Sequence, residues 1–101
     1  MVQRLIRYRT DPDRADLNQR LVEAVFAELK TRDTEGVRYL VLRTADGSFF
    51  HLVAFENGGG TSELTTLHEF QEFQRDLRSR CIQPPEAVEV TVVGNHRMLP
   101  D

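Results

Sequence analysis

The chain has 101 residues, 40% of them hydrophobic and 29% charged, the size and balance of one ordinary globular domain spanning residues 1–101. A formal net charge of −3 argues against a nucleic-acid partner, since duplex binding calls for a basic surplus, although arginine supplies all but one of the 13 basic residues and leaves an anionic small molecule open. No apolar stretch approaches the roughly 20 residues that cross a bilayer, no signal-peptide block precedes the first strand pattern, and Cys81 lacks an internal disulfide partner, so the expectation is a cytoplasmic protein with no membrane partner.

The first predicted element is a strand over Val2 to Arg9, with Leu5, Ile6 and Tyr8 apolar and arginines interleaved. Asp11 then caps a helix whose first position is Pro12, where a missing N–H costs nothing. That helix runs to about Arg32 and turns Leu17, Leu21, Val25 and Leu29 toward a core, with Val22 and Ala24 widening the stripe. A second strand covers Val37 to Thr44. Asp46-Gly47 suits a type I′ hairpin turn, and a two-residue turn pairs Ala45 with Ser48, Leu42 with His51 and Leu40 with Val53. The third strand, Phe49 to Glu56, is apolar on both faces, as expected of a central strand covered on two sides.

Asn57 to Ser62 is a glycine-rich connection without the Gly-Lys-Ser/Thr ending of a phosphate loop. Thr66 and Glu69 have the spacing of a capping box, which predicts a second helix to about Arg80. Its inner face carries Leu67, Phe70, Phe73 or Gln74, Leu77 and Cys81. Pro84-Pro85 bars further helix. Val88, Val90 and Val92 alternate with polar residues in a last strand, Gly94 marks a bulge or bend, and Asn95 to Leu99 can extend it.

The order is therefore β-α-β-β-α-β. Its usual solution is an α+β, ferredoxin-like fold: a four-stranded antiparallel sheet in the order 4-1-3-2 with two helices on one face. The other face carries large apolar residues, a pattern that signals association, most simply as a homodimer whose two sheets close a barrel.

The strand Phe49-Phe50-His51-Leu52-Val53-Ala54-Phe55-Glu56, followed by Leu64, Leu67-His68 and Phe70 and by Val92-Val93-Gly94, resembles the dimeric α+β barrel superfamily. The resemblance is nearest to its antibiotic-biosynthesis-monooxygenase-like members and covers nearly the whole chain. It implies a ligand pocket between helices and sheet, and it makes Glu56 and His68 similar to a recurring glutamate and histidine. Two features depart from the family. The chain has no tryptophan, which counts against the Asn-Trp-His chemistry of haem-degrading members, and Gly58-Gly59-Gly60 replaces an acidic turn.

Candidate chemistry centres on histidine, the side chain that titrates near neutral pH. His51, on the central strand, points to the barrel interior or to the helices according to turn register. His68 stands at a pocket mouth or in solvent, and His96 suits an interface. Both His51 and His68 are candidate catalytic residues. Tyr8 and Tyr39 could donate hydrogen bonds to a phenolic or quinone-like ligand, with Phe70 and Phe73 as apolar walls. The histidines and Cys81 lack the spacing of a metal site, no cofactor is expected, and Cys81 has no activating neighbour. An RNA-recognition module shares the element order, but Asp46 stands where its strand motif begins with a basic residue. Two functions remain: a dimeric module that binds a small hydrophobic or aromatic ligand, and a cofactor-independent monooxygenase acting on an aromatic or quinol-type molecule.

Overall fold

The computed structural model describes residues 2–32, 36–55 and 64–99. Glu56 and the glycine-rich connection lie outside them. Strand β1 (Val2–Thr10) leads through a short 3-10 turn (Pro12–Arg14) into helix α1 (Ala15–Arg32). Strands β2 (Val37–Arg43) and β3 (Ser48–Phe55) form a hairpin. Helix α2 (His68–Gln74), a second 3-10 turn (Arg78–Arg80) and strand β4 (Cys81–Glu89) complete the order. The sheet is antiparallel throughout, in the order β2-β3-β1-β4, with both helices against one face. This is the ferredoxin-like arrangement that the pattern of elements predicts.

Asp11 opens the first helical segment as expected, its carboxylate accepting from the Asp13 N–H at 2.9 Å. The stripe that α1 buries is rotated from the predicted one. Ala15, Asn18, Val22 and Val25 are buried, whereas Leu17 is 38% exposed. Phe49, Leu67 and Val25 are almost wholly enclosed between helices and sheet, and each such side chain contributes roughly 1.5–3 kcal/mol on burial.

Three predicted details give way. The hairpin loop has three residues, not two. The Thr44 N–H donates to the Ser48 carbonyl at 2.9 Å and the Gly47 N–H to the Thr44 carbonyl, while Gly47 takes a φ of +85°. That is a turn closed by a left-handed residue, the usual three-residue solution. Asp46 locks it by accepting from the Ser48 N–H and the Thr44 hydroxyl. The register therefore shifts by one: Val41 lies opposite His51, and Leu42 opposite Phe50.

The second helix is shorter than predicted and has no Thr66 capping box. Its N-cap position is Leu67, and the cap comes from the other helix: Glu28 accepts the N–H groups of His68 and Glu69 at 3.3 and 2.7 Å. It ends at Gln74, where Asp76 turns left-handed (φ 61°). The last strand begins at Cys81, before the prolines, and ends at Glu89. Pro84 and Pro85 are accommodated because β4 is an edge strand with register irregularities facing them. Val90 still donates to the Gln3 carbonyl of β1 at 3.0 Å, and residues 91–99 then leave the sheet, so Gly94 is not a strand bulge. They run beside its open face, where Val92, Met98 and Leu99 border a hollow of about 560 Å³ over Leu40, Leu52 and Ala54.

Gly47 is the position where backbone conformation and space both forbid a side chain. A Cβ there would stand 3.1 Å from the Thr10 hydroxyl and 3.2 Å from its carbonyl oxygen, in addition to the strain of positive φ. Gly47→Ala should lower stability by about 1–3 kcal/mol, read as a lower urea midpoint, with α1 helicity retained in the folded baseline.

Candidate functional site

Antiparallel pairing puts directly opposed residues on one side of the sheet, and residues two apart along a strand on the same side. His51 of β3 lies opposite Ile6 of β1 and Val41 of β2, so Tyr8 and Tyr39 are its diagonal neighbours. All three side chains face the helices. They meet there: the Tyr8 hydroxyl lies 2.7 Å from His51 Nε2 and the Tyr39 hydroxyl 2.7 Å from His51 Nδ1. Tyr8 and His51 are each 3% exposed, whereas Tyr39 is half-buried.

The network continues into α1 and the turn before β4. Asn18 Nδ2 donates to the Tyr8 hydroxyl at 2.8 Å, and Arg80 Nε donates to Asn18 Oδ1 at 3.0 Å. The two η nitrogens of Arg80 bond the Arg75 and Phe73 carbonyls at the end of α2, at 3.0 and 2.7 Å. Aromatic rings fix the plane of the site. His51 stacks on Phe73 with centroids 5.4 Å apart, Tyr8 on Phe49 at 5.5 Å, and Phe26 packs on Tyr39 at 4.9 Å. Arg80 lies over Phe73, 5.7 Å from its centroid.

A cavity of about 810 Å³ opens onto this network, between the sheet and α2. Its walls are mainly apolar, including Ile6, Val53, Leu64, Phe70 and Phe73, and its polar floor is Tyr8, Tyr39 and His51. Arg4, Asp76 and Arg78 also border it. The volume falls within the range of small-molecule pockets, and the composition, apolar with a few convergent polar groups, matches them too.

Of the predicted site residues, Tyr8, Tyr39, His51, Phe70 and Phe73 converge on this cavity. His68 does not. It begins α2 on the exposed side and is absent from the cavity lining. His96 is exposed in the 90–99 segment. Among the described residues no group of three or more His, Cys, Asp or Glu side chains could hold a metal ion. Cys81 is a free thiol whose Sγ contacts the Leu77 carbonyl, and burial raises its pKa, the opposite of nucleophile activation. Two members of the network, Asn18 and Arg80, carry no motif. Their only signal is position: Asn18 stands one turn before Val22 on the buried stripe, and Arg80 comes three residues after the inward Leu77.

Burial sets the protonation of the site. It holds His51 down to about 4 and pushes both tyrosines above their usual value. At neutral pH the imidazole is therefore uncharged, with one ring nitrogen a donor and the other an acceptor.

No family model matches the sequence, and no curated protein matches it either. Solved structures do match the fold. One is described as "Putative antibiotic biosynthesis monooxygenase" from Bacteroides thetaiotaomicron, with TM-score 0.79 and 15% identity over 98% of this chain and 95% of that one. A second, described as antibiotic biosynthesis monooxygenase, has TM-score 0.73 and 14% identity over 93% of this chain and 100% of that one. A third, Rv0793 from Mycobacterium tuberculosis, has TM-score 0.73 and 16% identity over 93% and 96% of the two chains. The chain thus has the ferredoxin-like α+β fold of the antibiotic-biosynthesis-monooxygenase-like structures. At these identities the likeness is one of fold.

The low value for His51 has a measurable consequence. Unfolded, its imidazole takes up a proton near 6.5; folded, it resists until about 4. Between those values the unfolded chain binds more protons, so the contribution is complete above about 6.5 and is lost as pH falls through the window. It amounts to up to about 3 kcal/mol. Urea midpoints at pH 7 and pH 4.5 should differ more for the wild type than for His51→Gln.

Proposed function

We propose that this protein binds a small, largely apolar aromatic molecule carrying at least one oxygen, in the cavity between the sheet and α2. The observation that carries the reading is the roughly 810 Å³ apolar cavity with a Tyr8–His51–Tyr39 hydrogen-bonded floor. Phe70 and Phe73 supply the aromatic walls, and Tyr39, the half-buried member, supplies the polar contact. Naphthols and naphthoquinones should shift the NMR signals of Tyr39, His51 and Phe73 on titration. Ala87→Phe, which fills the cavity mouth, should weaken binding by about tenfold or more. Binding of these compounds that is indifferent to Ala87→Phe would place the site elsewhere.

The second reading is catalytic, and the histidine flanked by two phenols favours it. A cofactor-independent monooxygenase would oxidise a phenol to a quinone with dioxygen, one oxygen atom entering the new carbonyl and the other leaving as water, all electrons coming from the substrate. Such a reaction begins with deprotonation of the substrate. With burial holding His51 down to about 4, the imidazole is a weak base toward an ordinary phenol near 10. That mismatch favours binding over turnover. Oxygen consumption with the same naphthols, abolished in His51→Ala and Tyr39→Phe, would reverse that order.

The protein is further proposed to be a homodimer joined through the open face of the sheet. Leu40, Leu42 and Val88 are 38%, 57% and 47% exposed there, and Gln3 Oε1 is buried without a donor among the described residues. Both features suit a second copy of the same face. Light scattering at micromolar concentration should give twice the chain mass, and Leu42→Glu should shift it toward one.

A further inference from the structure

We infer that Arg80 and Asn18 set the direction of the buried hydrogen-bond chain, making Tyr39 an obligate donor to the cavity and the site selective for ligands that present an acceptor oxygen such as a ketone or quinone carbonyl. This rests on the ligand-pocket reading above and names the chemical class that the pocket takes.

The polarity of the network starts at Arg80, whose role is not negotiable. A guanidinium has only donors. Arg80 Nε therefore requires an acceptor from Asn18, which turns the amide oxygen to Arg80 and leaves Nδ2, a donor, for Tyr8. The Tyr8 oxygen accepts that bond, and its own proton needs a destination. The hydroxyl is buried, and among the described residues His51 Nε2, at 2.7 Å, is the acceptor within reach. Tyr8 donates to Nε2, so the neutral imidazole carries its proton on Nδ1. Nδ1 donates to the Tyr39 oxygen at 2.7 Å. Tyr39 then has one proton left, and Tyr39 lines the cavity. The opposite polarity would leave the Tyr8 proton buried without an acceptor. Each link thus passes its direction to the next, from Arg80 to Asn18, Tyr8, His51 and Tyr39. Of these five, only Tyr39 has a proton free for the ligand, and the other four act through it as positioning residues.

The wiring can be reversed at one atom. Asn18→Asp keeps an acceptor for Arg80 and puts a second acceptor against Tyr8. Tyr8 must then donate toward the helix, His51 must carry its proton on Nε2, and Tyr39 must donate to Nδ1, presenting lone pairs to the cavity. The test is read by ¹⁵N NMR of His51 at neutral pH, together with binding of fluorene and 9-fluorenone, which differ by one carbonyl oxygen. The wild type should show a protonated Nδ1 and an unprotonated Nε2, and should bind fluorenone about three- to tenfold more tightly than fluorene. Tyr39→Phe should erase that preference with the tautomer unchanged. In Asn18→Asp, with the introduced carboxylate ionised, the two nitrogens should exchange roles and the preference should vanish. A wild-type His51 protonated at Nε2 overturns the proposal, and that measurement requires no variant to fold. Equal affinity for the two probes in the wild type also overturns it. Binding of neither probe overturns the pocket reading and with it the selectivity, while the tautomer is decided independently by the spectrum.

Discussion

A buried cation must find acceptors, and much of this structure is arranged around the ones that Arg80 finds. The residue is 3% exposed, and its acceptors among the described residues are one side-chain amide and two backbone carbonyls. The carbonyls of Phe73 and Arg75 belong to the end of α2, where orphan acceptors and the negative end of the helix dipole favour a positive charge. Arg80 thereby closes the helix early and ties it to the entry of β4. The amide belongs to Asn18, on the other helix. One side chain thus joins α1, α2 and the sheet edge at the place where the tyrosine–histidine network begins. Losing the Asn18 oxygen would leave the Nε–H of a buried cation without its acceptor, a cost of about 1–3 kcal/mol.

The same network depends on strand register in an unforgiving way. Side chains alternate across a sheet, so a slip of one residue sends a whole strand's contacts to the opposite face. In the observed register His51 is opposite Val41 and diagonal to Tyr39. Under the two-residue turn that Asp46-Gly47 suggests, His51 would lie opposite Leu42, and Tyr39 would belong to the other face. The extra loop residue, held by Asp46 and by the positive φ of Gly47, is what brings Tyr39 Oη and His51 Nδ1 within 2.7 Å. The chemistry of the site is in this sense set at a hairpin loop on the rim.

That also explains what could be read from the residues alone. Element order, sheet topology and the candidates Tyr8, Tyr39, His51, Phe70 and Phe73 follow from periodicity and residue type, which are local properties. The register did not follow, because Asp-Gly serves two- and three-residue loops alike. The cap of α2 did not, because Glu28 reaches it from another helix, and a tertiary cap leaves no local spacing to find. Asn18 and Arg80 were invisible for a related reason. A polar residue on an apolar stripe is a weak sign until its partner is known, and these two partners are 62 positions apart. His68 shows the converse: a resemblance in sequence marked it, while geometry leaves it exposed outside the cavity lining.

The two faces of the sheet answer the cost of burial differently. On the helix-covered face the polar atoms of Tyr8, Asn18, His51 and Arg80 all have partners, and a fully connected network in a low-dielectric setting is rigid because each bond holds the next. On the open face Leu40 and Leu42 meet solvent, and Gln3 Oε1 lacks a donor among the described residues. A rigid polar floor beneath an apolar cavity favours recognition of one ligand orientation, because no group in it can rotate without orphaning another. An apolar face with an unanswered acceptor favours association. Since β1 and β3 each contribute alternate residues to both faces, pressure from a partner on Leu52 would bear on the strand that carries His51. The proposed binding in the cavity and the proposed contact across the open face would therefore act on the same two central strands.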